Sequence, residues 1–414
     1  MTMNILFIHN NFPGQYRRIY TYLKENTDYR MAAATLASNE QRVSIPRINY
    51  TPHREPNRKI HPSLISTERA VITGQAAYKA LLAMKERGER PDVVLSHSGW
   101  GNGMFIKDIF PDAKLLNYYE WYYHCHGGDG EFLMDEPYGP NDEIRIRMKN
   151  TPILHDMVAQ DWGQCPTRFQ HGQLPDMVRD RISILHDGVD TDFFKPVDEP
   201  RLKLPDGREL TRNDEVITYI ARGMEEYRGF PQFMEMVSRL QKRRPRLQTV
   251  IIAHDRIAYG AQRPDGKGLK QWALDRFAFD ESRLHFTGLQ PLSFLRDAVR
   301  VARAHVYLTA PFVLSWSLLE SMAAGALIVG SDTEPVREVI GHGDTGWLAD
   351  FFDVDALMDR VDHAIDHQAE SEPLRRAARA LILDRYDAKH LVPRHKRLIE
   401  AVAEGKSVAE MQQI

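Results

Sequence analysis

The sequence predicts two doubly wound α/β domains, each a parallel sheet covered by helices. Three observations support this fold class: short aliphatic runs alternate with helical periodicity in both halves, a polar segment separates the two series, and 414 residues suit two to three domains. The separating segment, 195–215, is rich in proline and turn residues, which is typical of a linker. We therefore expect domains over 1–195 and 196–385, with a charged helical segment over 386–414 that packs back on the first domain.

The elements of the first half follow in order from the pattern. The apolar run 4–9 predicts a strand, the loop 10–15 follows it, and the spacing of Tyr16, Ile19, Tyr20 and Leu23 predicts a helix. Further strands are predicted over 30–38, 91–98, 114–123 and 181–186, with a long helix over 64–87.

The second half repeats the same alternation. Strands are predicted over 216–222, 247–254, 283–288, 305–311 and 326–332, and helices over 230–243 and 318–324 with another beginning at 336. In open α/β sheets of this kind ligands bind beyond the carboxyl ends of the strands. We expect the two domains to face a central cleft there.

Composition excludes several classes of protein. A net charge of -3 provides no global basic surface, so nucleic acid is not an expected partner. Two cysteines cannot form a disulfide framework or a four-cysteine zinc site. The most apolar long stretch, 313–330, contains Glu320 and serines, which a membrane span would not tolerate. We expect a cytoplasmic protein, and contact with the inner face of the membrane stays open.

Gly14 is a candidate for contact with a phosphate. It lies in the first strand-to-helix loop, where a residue without a Cβ lets backbone N–H groups approach an anion at a helix start. A plain strand-to-helix turn is the alternative.

Two arginines follow the first strand of the second half. Arg222 and Arg228 stand in the segment ARGMEEYRGF, where their guanidinium groups could hold a diphosphate through charge-assisted hydrogen bonds. Solvated charges in a loop are the alternative.

Two glutamates lie in apolar surroundings that a carboxylate rarely occupies without a partner. Glu320 stands on a helix that we expect to begin near Ser315 or Ser317, with serine as its N-cap and free amides facing an anion. A ribose diol is one partner for Glu320, and an arginine elsewhere in the fold is another. Glu120 stands among five aromatic residues in NYYEWYY, where burial would raise its pKa unless a structural hydrogen bond satisfies it.

The loop after this segment contains several metal-ligating side chains, His124, Cys125, His126, Asp129 and Glu131. Their spacing matches no standard zinc motif. We therefore predict no metal site.

Several segments together resemble one family, the retaining glycosyltransferases of family 4, which have the GT-B fold of two Rossmann-like domains. HDGVDTDFF is similar to the family's N-G-V-D-x-x-x-F turn, and ARGMEEYRGF is similar to its G-R-x-x-x-x-K-G segment. LLESMAAGALIVGSDTEPVREVIGHGDTGWL resembles its donor-site block, and RLHFTGLQP resembles the segment beside the donor base. The opening LFIHNNFPGQYRR resembles a bacterial subgroup that acts on polysaccharide or other glycan acceptors.

The resemblance implies specific roles. Glu320 would bind the ribose hydroxyls, while Arg222 and Arg228 would hold the diphosphate and stabilise the leaving group. The other residues implied to contact the donor are Gly14, Gly288, Leu289, Leu314, Ser315 and Trp316.

The sequence departs from the family at two places. The family carries two glutamates eight positions apart, and Phe312 stands where the first would precede Glu320. Phe312 cannot accept hydroxyl protons, so the contacts to the donor sugar must differ. Many members also place a histidine near the reacting centre in the first domain, where Glu120 is the nearest match.

The expected function is transfer of a sugar from a UDP- or GDP-linked donor to the hydroxyl of a glycan or glycolipid, with retention and without a cofactor. Cationic side chains and helix dipoles would stabilise the leaving diphosphate without a metal ion. A nucleotide-sugar epimerase of the same fold and a non-catalytic binding homologue are the alternatives. The oligomeric state is not predicted.

Overall fold

The computed structural model describes residues 2–134, 136–260, 263 and 265–413, and the chain divides into two compact units. The first unit comprises Met1–Glu131, Asp135–Gly188 and Ala388–Ile414, and the second comprises Phe132–Met134 and Val189–Asp387. Within the described residues no helix combines the length and the apolar character that crossing a membrane requires.

Strands account for the centre of each unit. Over the described residues they are β1 (Asn4–Ile8), β2 (Arg30–Leu36), β3 (Arg47–Tyr50), β4 (Val93–His97), β5 (Lys114–Tyr118), β6 (Trp162–Cys165), β7 (Ile182–Ile184), β8 (Arg201–Lys203), β9 (Glu209–Thr211), β10 (Val216–Gly223), β11 (Gln248–His254), β12 (Leu284–Phe286), β13 (Ala304–Tyr307), β14 (Ile328–Ser331) and β15 (Trp347–Ala349).

Helices connect the strands of both units. Over the described residues they are α1 (Arg17–Asn26), α2 (Ile65–Glu86), α3 (Ile106–Ile109), α4 (Pro140–Lys149), α5 (Thr151–Ala159), α6 (Arg168–Gly172), α7 (Asp176–Arg179), α8 (Phe230–Arg243), α9 (Leu269–Arg276), α10 (Leu292–Val301), α11 (Trp316–Ala323), α12 (Glu334–Arg337), α13 (Val354–Asp366), α14 (Gln368–Arg385), α15 (Ala388–Glu404) and α16 (Val408–Met411).

The first unit is built on a seven-stranded sheet in the order β3-β2-β1-β4-β5-β6-β7. All of its strand pairs are parallel, and β1 lies between β2 and β4, with Ile5 opposite both Met31 and Val93. Parallel strands end at one edge of a sheet, so the residues after β1, β4 and β5 come close together there.

The second unit has a six-stranded parallel sheet in the order β12-β11-β10-β13-β14-β15. The apolar face of α8 packs against this sheet as its spacing predicts, because Phe233, Met236, Val237 and Leu240 are all fully buried. The segments after β10, β11, β12 and β13 therefore share one edge, where the sequence placed its donor-binding candidates. The doubly wound α/β class predicted for both halves is confirmed.

Segment 195–215 is not a free linker, which corrects the sequence-based interpretation. It contains the antiparallel hairpin of β8 and β9, whose side chains Leu202, Leu204 and Leu210 are buried in a core cluster of the second unit. The alternation of these leucines with charged residues is typical of short strands, but the surrounding proline and turn residues made the segment resemble a linker. The second unit also begins at Val189, before the expected boundary at 195, because Val189 and Phe194 pack into the same cluster.

Two further differences concern strands. The strand expected over 114–123 ends at Tyr118, because its pairing stops there, at His97 of β4 and at Gln164 of β6. Glu120 therefore lies in the loop beyond the sheet edge. Strands β3, β6 and β15 lack a long aliphatic run and were not predicted.

The last long helix, α15, belongs to the first unit. Its side chains Leu391, Leu398, Ile399 and Val402 are buried in the same core cluster as Ile5 and Phe7 of β1.

Candidate functional site

A cluster of polar side chains lies at the carboxyl edge of the first unit's sheet. His9 directly follows β1, His97 is the last residue of β4, and Glu120 follows β5 by two residues. His9 and His97 are buried, whereas the Glu120 side chain is partly exposed. Glu120 Oε2 lies 3.3 Å from His97 Nε2, so the sheet brings the predicted glutamate to a histidine that the sequence did not single out.

Hydrogen bonds fix the proton positions in this cluster. The Asn11 amide donates to His9 Nδ1 (3.0 Å), so the proton of a neutral His9 lies on Nε2 and is donated to Gln15 Oε1 (2.7 Å). The Gln15 amide nitrogen then lies 3.5 Å from His97 Nε2, at the outer limit of a hydrogen bond, while His97 Nδ1 lies 3.0 Å from the Ser98 carbonyl. A neutral His97 with its proton on Nδ1, donated to the Ser98 carbonyl, would accept the Gln15 amide at Nε2.

His9 is neutral in the folded protein. Burial and, to a smaller extent, the neighbouring His97 lower its pKa to about 3, although the hydrogen bonds with Gln15 and Asn11 oppose the shift. A neutral His9 serves to orient Gln15 and does not carry charge.

Aromatic rings hold His97 in place. Its ring stacks on Trp100 at 3.8 Å between centroids and lies at 5.6 Å from Tyr118, while His9 meets it edge-on at 5.3 Å. A ring fixed in this way keeps Nε2 aimed at Glu120.

Gly14 packs against His9 in this cluster. Its φ of +46° is unfavourable for a residue with a side chain, and a Cβ there would lie 2.2 Å from His9 Cε1. The absence of a side chain at Gly14 therefore allows the close approach of the His9 ring, which is a requirement that the sequence-based interpretation did not include.

Arg228 is the best-anchored cation among the second unit's candidates. It is buried, and its guanidinium donates to Tyr307 Oη (3.3 Å), Thr309 Oγ1 (2.7 Å) and the Val313 carbonyl (3.0 Å). An arginine has five N–H donors, so these three bonds leave two without a recorded partner among the described residues.

Arg222 and Glu225 lie on either side of the end of β10. Arg222 is the second-last residue of β10, and its side chain is exposed. Glu225 is fully buried, and one of its carboxylate oxygens accepts the amides of Ala258 (2.7 Å) and Tyr259 (2.8 Å). Burial raises the pKa of Glu225, whereas these amides and the charges of Arg228 and Arg222 oppose the rise.

Phe312 lies in an aromatic group above Arg228. Its ring meets Tyr227 at 5.4 Å and Tyr259 at 5.0 Å, and the Arg228 guanidinium carbon lies 6.0 Å from its centroid. Phe312 is itself buried. Phe312, at the position where the resemblance leads us to expect a carboxylate, is thus part of an apolar wall of aromatic rings.

The helix that carries Glu320 begins as the sequence predicts. Ser315 is the N-cap of α11, and its hydroxyl accepts the Ser317 amide at 3.3 Å. The Ser315 amide itself donates to Tyr307 Oη (2.8 Å), so that N–H is already used. Glu320 and Leu314 are buried, and Trp316 is half-buried.

Gly288 and Leu289 lie beyond β12 at the same edge of the sheet. Gly288 has a φ of +69° with open space where a Cβ would lie, and Leu289 is largely exposed. An exposed leucine beside a glycine at a strand end leaves an accessible apolar surface, which suits the predicted position beside a donor base.

The strand orders of the two sheets define the class of protein: two Rossmann-like domains of the kind found in GT-B glycosyltransferases. Two family models match the chain: the glycosyl transferase family 4 group over residues 27–194 and the glycosyl transferases group 1 over residues 203–381. With these matches the chain is a glycosyltransferase of the GT-B fold.

Solved structures share this fold at low sequence identity. The sucrose-phosphate synthase of Thermosynechococcus elongatus is 13% identical, with a TM-score of 0.73 over 98% of this chain and 100% of that one. HepE of Anabaena, solved with UDP and glucose, is 14% identical, with a TM-score of 0.67 over 96% and 100%. A UDP-forming trehalose-phosphate synthase of Burkholderia xenovorans is 11% identical, with a TM-score of 0.67 over 97% and 100%. No curated protein matches the chain in sequence.

Proposed function

We propose that the protein transfers a sugar from a nucleoside diphosphate sugar to a hydroxyl of a glycan or glycolipid, with retention at the anomeric carbon. The single observation that carries the proposal is the anchoring of Arg228 at the strand edge of the second unit. Its three bonds fix the guanidinium, and within the part of the chain that the structure describes two further N–H donors remain for a ligand. A preorganised cation of this kind stabilises the negative charge that develops on a leaving diphosphate.

The remaining donor contacts follow from the same edge. Arg222, which is exposed, would meet the diphosphate from the solvent side, and the buried Glu320 would accept the ribose hydroxyls. Leu289 and Gly288 would lie beside the base. UDP is the favoured nucleotide, because HepE was solved with UDP-glucose and the Burkholderia synthase is described as UDP-forming.

In the first unit we assign to His97, together with Glu120, the role that the sequence gave to Glu120 alone. With Nε2 of neutral His97 accepting, Glu120 Oε2 and this nitrogen are two acceptors at 3.3 Å. Two acceptors so close are stabilised by a shared donor, which is either a proton on His97 or a hydroxyl of the substrate. Gln15 acts through His97 and is a positioning residue.

The apolar wall around Phe312 would limit the hydrogen bonds that the donor sugar can make. Phe312 cannot accept a hydroxyl proton, so a sugar that lies against this wall would find polar partners elsewhere, and Tyr227 and Tyr259 carry the nearest hydroxyl-bearing rings. We propose a role in the synthesis of polysaccharide or another glycan at the inner face of the membrane, which rests on the resemblance of residues 6–18 to the bacterial subgroup.

The test measures release of the nucleoside diphosphate from a panel of UDP- and GDP-sugars, with and without glycan acceptors, in the presence of EDTA. We expect Arg222→Ala, Arg228→Ala and Glu320→Ala each to lower turnover at least about 100-fold. The matched control is Arg246→Ala, since Arg246 is exposed at the opposite edge of the sheet, before β11.

Other outcomes distinguish the alternatives. An epimerised or glycal product formed without an acceptor would identify an epimerase. Donor binding without turnover of any acceptor would identify a binding protein, and no binding of any sugar nucleotide would refute the proposal. Full activity in EDTA would agree with transfer that needs no metal ion.

A further inference from the structure

Three metal-ligating side chains of the first unit come together outside the cluster of His9, His97 and Glu120. Cys125 and His126 are neighbours in the loop after β5, and Glu143 lies in the first turn of α4. One ligand atom from each residue lies within 4.8 Å of the other two. The three atoms can therefore reach one common ion.

The measured separation of two of these ligand atoms matches a tetrahedral site. His126 Nε2 lies 3.4 Å from Glu143 Oε1. With zinc–nitrogen and zinc–oxygen bonds of about 2.0–2.1 Å, neighbouring ligands of a tetrahedron are about 3.3–3.4 Å apart. This pair therefore already has the separation that two neighbouring zinc ligands need.

The second nitrogen of His126 has the partner that metal-binding histidines usually have. Its Nδ1 lies 3.2 Å from Glu131 Oε1, and the other oxygen of Glu131 accepts the Gly127 amide at 2.6 Å. A carboxylate that accepts from the far side of the ring fixes its tautomer and turns the free nitrogen toward the metal.

The electrostatic surroundings favour a cation. The carboxylates of Glu143, Glu131 and Asp142 and the guanidinium of Arg145 are close enough to the Cys125 sulfur to interact with it electrostatically. The carboxylates thus outnumber the arginine around the sulfur, and a bound divalent cation would offset their repulsion.

We propose that Cys125, His126 and Glu143 bind one zinc ion, with water in the fourth position and Glu131 orienting His126. A thiolate, an imidazole and a carboxylate form a ligand set that suits zinc among the common metal ions, and small side-chain movements would bring all three atoms to bonding distance of one ion. Binding removes the thiol proton of Cys125, which passes to solvent. The ion would join residues 125 and 126 to α4 and takes no part in the proposed sugar transfer.

The proposed site departs from the expectation of no metal that the spacing of residues 124–131 gave. Two of the ligands lie in that segment, but the third comes from the next helix, and a motif search within the segment does not include it. His124 is not a ligand, because its Nε2 lies 2.7 Å from the carbonyl of Gln173.

The experiment uses the full chain stripped of metal by a chelator and then dialysed. Zinc is titrated against a competing chromophoric chelator, and cobalt is added separately to record its spectrum. We expect uptake of one equivalent of zinc and a thiolate-to-cobalt charge-transfer band. Cys125→Ser and His126→Ala should each weaken zinc binding by at least about 100-fold, and Glu131→Gln by about 10- to 100-fold.

The matched control is Glu136→Gln, because Glu136 is an exposed carboxylate of the same loop and should leave the affinity unchanged. His126 and Glu143 are exposed enough that their variants should fold, which circular dichroism checks. The competing explanation is a protonated His126 held between two carboxylates without a metal. That explanation predicts no saturable uptake, and this result would overturn the proposal. Equal zinc affinity in the wild type, Cys125→Ser and His126→Ala would overturn it as well.

Discussion

Replacement of Arg228 tests whether its guanidinium is both a structural anchor and the electrostatic partner of the leaving diphosphate. Arg228→Ala removes three hydrogen bonds, to Tyr307, Thr309 and the Val313 carbonyl. Tyr307 Oη still accepts the Ser315 amide, so the losses concentrate on Thr309 and Val313. Each buried acceptor left without a donor costs about 1–3 kcal/mol, so we expect the two losses together to lower the free energy of unfolding by about 2–6 kcal/mol.

The effect on turnover should be separate from this loss of stability. Loss of a preorganised donor to a developing charge lowers kcat by about 100- to 1,000-fold, or about 2.7–4 kcal/mol. Thr309→Val removes one partner of Arg228 without removing the charge. We expect it to reduce stability by about 1 kcal/mol and to leave kcat within a few-fold of the wild type.

The assay combines donor turnover with urea unfolding of each variant, at a temperature at which every variant is folded. Arg228→Lys keeps the charge but not the fork of donors, so its turnover should lie between those of the wild type and Arg228→Ala. A kcat for Arg228→Ala within about threefold of the wild type would show that Arg228 does not meet the leaving group. The same conclusion follows if Thr309→Val loses as much activity as Arg228→Ala.

Three further predictions concern stability. Gly14→Ala should lower the free energy of unfolding by more than the control Gly88→Ala. Both glycines have positive φ, but only a Cβ added at Gly14 would clash with His9. Equal losses, each of about 1–2 kcal/mol from the backbone conformation alone, would contradict this. Leu210→Ala should lower the free energy of unfolding by about 2–5 kcal/mol, because the hairpin is packed into the core of the second unit. The control Val158→Ala changes an exposed side chain and should alter it by less than about 0.5 kcal/mol. A small effect at Leu210 would restore the linker interpretation. Acidification from pH 6.5 should destabilise the protein, because buried histidines have folded pKa values below the unfolded 6.5 and the unfolded state therefore binds more protons. These are His9 and His186 at about 3 and His305 and His395 at about 4. Each histidine lowers the free energy of unfolding by about 1.4 kcal/mol per pH unit between pH 6.5 and its folded pKa. Burial raises the pKa of Asp156 to about 6, so below pH 6 this carboxyl offsets one of the histidines. A free energy of unfolding in urea that is the same at pH 5 as at pH 7 would refute this prediction.

The sequence predicted those parts of the fold that neighbouring residues determine. The apolar face of α8 and the strand β10 follow from spacing within a single segment, and so does the N-cap Ser315. Strand β6 did not follow from its own residues, because its Gln164 is buried and its place depends on pairing with β5 and β7. Local periodicity contains no information about such partners.

The candidate site divides in the same way. His9 and His97 each end an apolar strand, in NILFIH and VVLSH, and this signal was present in the sequence. Their pairing with Gln15 and Glu120 was not, because it requires the order of β1, β4 and β5 in the sheet. A histidine at the end of a parallel strand therefore has to be considered together with every strand that can lie beside it.

Glu225 shows how a residue between two candidate arginines can have a structural role that its position in the sequence hides. It stands between Arg222 and Arg228, yet its carboxylate is turned inward, where it accepts the amides of Ala258 and Tyr259. These bonds hold the loop after β11 and so place the Tyr259 ring against Phe312, in the wall above Arg228. A charged residue between two arginines would ordinarily be taken as their partner in solvent. Its actual role depends on a loop more than 30 residues further along the chain, so only the folded structure reveals that the wall and the cation are built together.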